Sequence, residues 1–210
     1  MDDLDKKKDL QAIREEVASC FKCSLSKTRK NAVPGEGNYN AEIMFIGEAP
    51  GATEDEKGIP FCGAAGKFLD DMIASIDLSR QDVFITNTVK CRPPENRDPE
   101  DSEKDACRPY LESQIALIKP KLVVALGRHA VASLLPGQAS ISKLHGRALK
   151  RPNGIVYLPL YHPAAALHNG GLRQTLMDDF AKIPVILKKI KEEQITNKTE
   201  KEESKQEKLI

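Results

Sequence analysis

Residues 44–73 read MFIGEAPGATEDEKGIPFCGAAGKFLDDMI, and the reading of this stretch decides the fold. An apolar run stops at the turn Gly47-Glu48-Ala49-Pro50-Gly51; acids follow, and Pro60-Phe61 leads into a glycine-rich helix entry. A short continuous apolar run bounded by turn residues describes a strand buried on both faces. The same pattern recurs, with apolar runs at 42–46, 83–86, Leu122–Leu126 and 154–160. Helical periodicity fills the intervals 66–76, 99–118, 128–135 and 172–190. Strands alternating with helices predict an α/β sandwich with a mainly parallel central sheet. Each run ends in a polar or glycine-rich segment: GEAPG, TNTVKCRPP, GRHA and HPAA. Ligands of open α/β sheets gather beyond the carboxyl ends of the strands, so the four segments are expected to converge.

The 210 residues suit one domain, expected over 1–190, followed by a charged and disordered tail over 191–210 in which Lys and Glu alternate with few apolar anchors. The charged start MDDLDKKKDL and the lack of a long apolar run lead us to expect a soluble, intracellular protein of the cytoplasm, without membrane attachment. A monomer is the default. Net charge is only +1, which gives no global signal for a polyanion, yet the charge is unevenly spread. Between Glu112 and Asp178 there is no Asp or Glu, while Lys143, Arg147 and Arg173 and all four histidines lie in that interval. Basic residues gathered on one face would suit a phosphate backbone.

Cys20 and Cys23 form a C-x-x-C in the polar context SCFKCSLSKTRKN, and Cys91 and Cys107 lie far downstream. A polar C-x-x-C supplies no core, so metal ligation is the better reading; four thiolates hold either zinc or an iron–sulfur cluster. Such a site would clip the N-terminal helix to the loop after the second strand and order the proline-rich residues 92–99. Cys62 reads as a small buried hydrophobe.

Taken together, GEAPGATEDEKGIPFCGAAGKFLD, ITNTVKCRPPENRDP, ISKLHGR and HPAA, with cysteines spaced C-x2-C and C-x15-C, resemble the family 4 uracil-DNA glycosylases, the iron–sulfur branch of that superfamily. The resemblance covers about residues 10–190. It implies a four-stranded parallel sheet between helices and a [4Fe–4S] cluster on Cys20, Cys23, Cys91 and Cys107. It also implies hydrolysis of the N-glycosidic bond of uracil in single- or double-stranded DNA, leaving an abasic site. Three positions depart from the pattern: Cys62 stands where Val is usual, His145 where Arg is usual, and the loop RPPENRDPED has no histidine, which argues against a covalent adduct.

The chemistry assigns roles to these residues. A base flipped from the helix needs a stacking platform, and Phe61 beside glycines offers one. Telling uracil from cytosine needs an amide that donates to O4 and accepts from N3–H, which suits Asn87. As the bond breaks, the sugar gains oxocarbenium character and uracil gains negative charge. His162 can donate to uracil O2 as the anion forms, and a neutral imidazole suffices. Glu48 can position water and offset the sugar's charge. Glu54, by resemblance, packs near C5 and rejects thymine; Ala49 and Gly51 complete the uracil contacts. For DNA, Lys143, His145, Gly146, Arg147 and Arg173 are expected at the backbone, with Leu167 as a wedge in the gap left by the base. Competing readings make Glu48 a helix cap, Asn87 a strand-end cap, or the whole chain a non-catalytic nucleic-acid-binding module with a structural zinc held by the four cysteines.

Overall fold

The computed structural model describes residues 3–138, 140–167 and 169–206, of which 197–206 by backbone alone. In chain order the elements are α1 (Asp3–Ala18), β1 (Glu36–Gly37), β2 (Ile43–Gly47), α2 (Ala52–Lys57), α3 (Ala64–Ala74), β3 (Phe84–Asn87), α4 (Asp101–Ile118), β4 (Leu122–Leu126), α5 (Arg128–Leu134), α6 (Ile141–Leu144), β5 (Leu149–Lys150), β6 (Val156–Leu160), α7 (Pro163–Ala166), α8 (Gly170–Phe180) and α9 (Ile183–Gln206).

The strands form one sheet in the order β1-β3-β2-β4-β6-β5. The four inner strands pair in parallel, as the apolar runs predict. The two edges are not foreseen by the sequence pattern: β1 and β5 are antiparallel strands of two residues each. They carry no alternation long enough to read, and short edge strands limit the unpaired backbone offered to another chain.

Both faces of the sheet are covered. Phe45 on β2 and Leu122, Val124 and Leu126 on β4 pack with Phe68, Leu69 and Met72 of α3 and Phe180 of α8. The alternate residues Met44, Ile46, Val123 and Ala125 pack with Leu111 of α4, Val131 of α5 and Leu10 of α1. This double burial is why β2 and β4 read as unbroken apolar runs rather than as alternating ones. Phe45 and Phe180 stack with ring centroids 5.4 Å apart and nearly parallel planes.

Two helical expectations are corrected. The run 172–190 is two helices, because the chain bends between Phe180 and Ile183, where Asp179 and Lys182 cap the break. The tail expected to be disordered from 191 continues α9 to Gln206, and residues 207–210 lie outside the described ones. Its close spacing of Lys and Glu supplies the i,i+4 attractions that support a solvated helix, as between Lys188 and Glu192.

From β2 the chain passes to β3 on one side, and from β3 it passes back across β2 to β4 on the other. The carboxyl ends of β2 and β4 therefore flank a topological switch point, where open α/β sheets hold their ligands.

Candidate active site

Glu48, Ala49, Gly51, Glu54, Phe61, Asn87 and His162 line one cavity of about 360 Å³, so residues far apart in the chain meet around a shared hollow. Glu48 follows β2, Asn87 ends β3 and His162 follows β6, all at the carboxyl edge of the sheet.

Asn87 is 1% exposed, and its Oδ1 is the buried side-chain atom left without a hydrogen-bond partner among the described residues. A buried carbonyl oxygen without a donor is costly, so a strand-end cap is not its task. Its backbone carbonyl is held by Lys90 Nζ at 2.8 Å, and Lys90 also donates to Thr86 Oγ1 at 2.6 Å and Gln114 Oε1 at 2.7 Å. Lys90 is 1% exposed, and burial pulls its pKa down to about 8. Sequence reasoning misses this lysine; the available signal is a charge inside TNTVKC, a strand end otherwise fit for burial.

Phe61 is buried and stacks on His162 with centroids 5.5 Å apart. Its φ of 49° is uncommon for a bulky residue and marks local strain. Arg80 braces the turn: its guanidinium donates to the carbonyls of Pro60, at 3.1 Å, and Phe61, and pairs with Asp70 and Glu36. On the far side Gly66 allows the approach, since a Cβ there would fall 1.7 Å from the Phe61 oxygen. Gly47 is equally constrained: a Cβ would lie 2.4 Å from Asn87 Oδ1 and 2.6 Å from the Phe61 ring. Arg80 does not stand out in the sequence, and Gly47 does so only as a turn residue, because each acts through contacts with residues distant along the chain.

His162 accepts a hydrogen bond from the Ala164 N–H at Nδ1, 3.1 Å away, as the cap of α7. With that lone pair engaged, the proton of the neutral ring sits on Nε2. Burial drives the His162 pKa down to about 4, so the ring is neutral at physiological pH. Glu48 moves the other way: burial first, and the nearby Asp98 second, raise its pKa to about 7. The N-cap of α2 is Gly51, which removes the reading of Glu48 as a cap. The capping carboxylate belongs to Glu54, which accepts from the N–H groups of Gly51, Cys62 and Gly63 at 3.2, 3.0 and 2.9 Å. Glu54 thus ties the GEAPG turn to the segment carrying Phe61. Cys62, expected to be buried, is partly exposed and does not line the cavity; its thiol turns instead to the Thr53 carbonyl, 3.6 Å away.

Pro93, Asn96 and Arg97 also line the cavity, contributed by the loop RPPENRDP, in which sequence reasoning assigns no residue to the site. Arg97 is clasped by Glu103 through two hydrogen bonds of 2.9 and 2.7 Å, and Glu103 accepts a third from Ser24 Oγ at 2.7 Å. The Arg97 guanidinium holds the Glu103 carboxyl down at about 2.

Ser24 follows Cys23, and all four predicted ligands, Cys20, Cys23, Cys91 and Cys107, line a second, small cavity walled by Val17, Val89 and Tyr110. Three sulfurs accept N–H hydrogen bonds: Cys107 from the Lys90 backbone at 3.2 Å, Cys91 from Arg29 at 2.9 Å and Cys20 from the Lys22 backbone at 3.5 Å. Burial pushes the Cys91 thiol up to about 11, so converging thiolates need a cation to exist here. Four converging sulfurs, three of them with N–H donors aimed at them, fit a thiolate-bound metal centre.

None of the expected DNA contacts lines the first cavity. Lys143 and Arg147 are exposed and form no salt bridge with a described residue; Arg173 is exposed with its guanidinium 4.0 Å over the Phe68 ring. Leu167, 38% exposed, caps the carboxyl end of α7, whose N-cap is His162. His145 is engaged internally, its Nδ1 2.6 Å from Asp179 Oδ2 and its ring against Tyr161. Gly146 packs on the same carboxylate, leaving a Cβ only 2.0 Å from Asp179 Oδ1. These two residues anchor the loop that presents Lys143 and Arg147. Elsewhere in the acid-free interval, Lys121, Lys150 and Arg128 are neutralised by Glu42, Glu193 and Asp98, so only part of it is a free basic face.

A parallel sheet that gathers a carboxylate, an amide, an aromatic ring and an imidazole at one edge defines the class. Residues 34–183 match the family model described as the uracil DNA glycosylase superfamily. The chain is 53% identical over 182 residues to the type-4 uracil-DNA glycosylase of Sulfurisphaera tokodaii, covering 83% of each chain. It is 52% identical over 183 residues to that of Saccharolobus solfataricus, covering 83% of this chain and 85% of the relative. With that of Archaeoglobus fulgidus it shares 46% identity over 185 residues, covering 83% and 91%. The protein belongs to the uracil-DNA glycosylase superfamily, in its type-4 branch.

Proposed function

We propose that this chain is a monofunctional uracil-DNA glycosylase that flips uracil out of single- or double-stranded DNA and hydrolyses its N-glycosidic bond in base excision repair. The observation that carries the reading is the orphaned Asn87 Oδ1, buried in a cavity that also holds Glu48, Phe61 and His162. Uracil N3–H is the donor this oxygen lacks, and the Asn87 amide nitrogen donates to O4; cytosine offers the opposite pattern at both atoms.

The flipped ring stacks on Phe61, worth roughly 1–3 kcal/mol for base–aromatic contact. His162 Nε2–H donates to uracil O2 as negative charge moves onto the ring, and a neutral donor favours this over protonating the base outright. Glu48, once ionised, orients the water that attacks the anomeric carbon and offsets the oxocarbenium charge. Ala49 and Gly51 close the uracil wall, and Glu54 holds that wall to the Phe61 turn at the C5 side, where a methyl group would clash. Lys143, Arg147 and Arg173 hold phosphates, His145 and Gly146 present their loop, and Leu167 fills the space the base leaves.

The four cysteines hold a [4Fe–4S] cluster, which supplies structural cross-linking rather than chemistry at the base. Residues 1–190 act as one domain, as a monomer, in the cytoplasm. No described helix is long and apolar enough to cross a membrane. Purified protein incubated with a uracil-containing oligonucleotide, then with alkali, yields a strand cut at the uracil; an uncut strand refutes the reading.

A further inference from the structure

His129 lies on the second residue of α5, across the switch point from Glu48, and nothing in the chemistry above uses it. Its Nδ1 lies 3.8 Å from Glu48 Oε1. Its Nε2 is 2.7 Å from Arg128 Nε and 3.2 Å from Asp98 Oδ2, and Arg128 reaches the same carboxylate at 3.5 Å. The side chains of Glu48 and His129 are each about a quarter exposed.

These contacts decide the tautomer. A guanidinium is a donor only, so the short contact from Arg128 Nε requires a bare lone pair on His129 Nε2. Burial lowers the His129 pKa, so the ring is neutral and carries a single proton. That proton is then on Nδ1, the nitrogen that faces Glu48. A second proton would oppose the Arg128 N–H, so the arginine also disfavours the imidazolium. Asp98 serves as counter-ion to Arg128.

We propose that His129 is a positioning residue for Glu48: its Nδ1–H, fixed by Arg128, orients the carboxylate toward the attacking water and favours its ionised form. The 3.8 Å separation exceeds a direct hydrogen bond and closes through a small rotation or one bridging water, as catalytic hydrogen bonds do when substrate binds. The groups facing Glu48 are Asp98 from the preceding loop, Arg128 and His129 from α5, and Lys104 from α4. Asp98 opposes ionisation, whereas Arg128 and Lys104 favour it. His129 is the group among them that can direct the carboxylate as well as bias it.

The inference rests on the role proposed for Glu48, and the test separates the two. Single-turnover uracil excision is followed against pH for the wild type, His129→Ala, His129→Asn, His129→Gln and Glu48→Gln, with thermal melts as a folding check. In His129→Ala the plateau rate falls about tenfold and the rising limb shifts to higher pH by about half a unit or more, the direction expected when a donor to a carboxylate is lost. His129→Asn, whose amide nitrogen sits near the position of Nδ1, restores both; His129→Gln, which reaches toward Nε2, does not. A limb that stays at the wild-type pH in His129→Ala, or an Asn variant no better than Ala, overturns the proposal. Wild-type rates in Glu48→Gln defeat the role of Glu48 itself, and this inference with it.

Discussion

At the scale of single residues, the site separates two titrations that would otherwise overlap. Glu48 keeps its proton up to about pH 7 in the folded chain but only to about 4.5 when unfolded. Between those values the folded chain binds more protons, so this group's contribution makes stability fall as pH rises. Glu48→Gln removes that fall. At pH 8 the variant melts higher than the wild type, by roughly 2–4 °C for each kcal/mol relieved, while excision drops by about 10²–10⁴. A Gln variant that melts lower at pH 8 contradicts the burial of an ionised carboxylate. The His162 imidazole runs the opposite way: its pKa of about 4 lies below the ordinary 6.5, so its contribution is lost as pH falls through that window. The excision rate therefore rises with a single inflection near 7 and shows none at the usual histidine value. Most of this was legible in the sequence as residue type and place, since Glu48, Phe61, Asn87 and His162 follow strand ends or turns. The braces were not: Arg80 reaches Phe61 across 19 positions, Lys90 is tied to Gln114 across 24, and Arg97 lies in a loop whose path no periodicity reveals.

Among the elements, the strands buried on both faces were the most readable, because continuous burial writes an unbroken apolar run. The two-residue edge strands were invisible for the converse reason. The bend that divides α8 from α9 also escaped notice, since apolar spacing continues through it and the break is set by Asp179 and Lys182. The loop between β3 and α4 matters most for function. It leaves the cysteine cage at Cys91, passes the cavity at Pro93, Asn96 and Arg97, and is fixed by Glu103, itself bonded to Ser24 beside Cys23. Metal binding at the cysteines should then be felt in the cavity wall. Anaerobically purified protein is expected to be brown, and Cys107→Ala colourless. In that variant, amide hydrogens of residues 92–99 exchange faster, while those of β2 and β4 keep their protection. Uniform loss of protection would instead make the metal a global staple.

For the whole molecule, the balance between basic residues and their acidic partners sets how DNA is approached. A net charge of +1 conceals three exposed basic residues, Lys143, Arg147 and Arg173, that form no salt bridge with a described residue. Lys143→Ala is expected to weaken binding to any DNA sequence and to reduce the slope of log affinity against log salt by about 0.9, with the rate of the bound complex nearly unchanged. An unchanged slope would place the DNA on another face. The basic interval could be seen in the sequence, but its partial neutralisation could not, because Glu42, Asp98 and Glu193 come from outside it. One bare glycine carries a longer consequence. Since Gly47 leaves no room for a methyl group beside either Asn87 or Phe61, even Gly47→Ala should displace both at once and abolish excision, though the substitution is among the smallest possible. Base identity and base stacking are thereby inherited as a single trait, and a lineage drifting toward another nucleobase has no gradual path through this position.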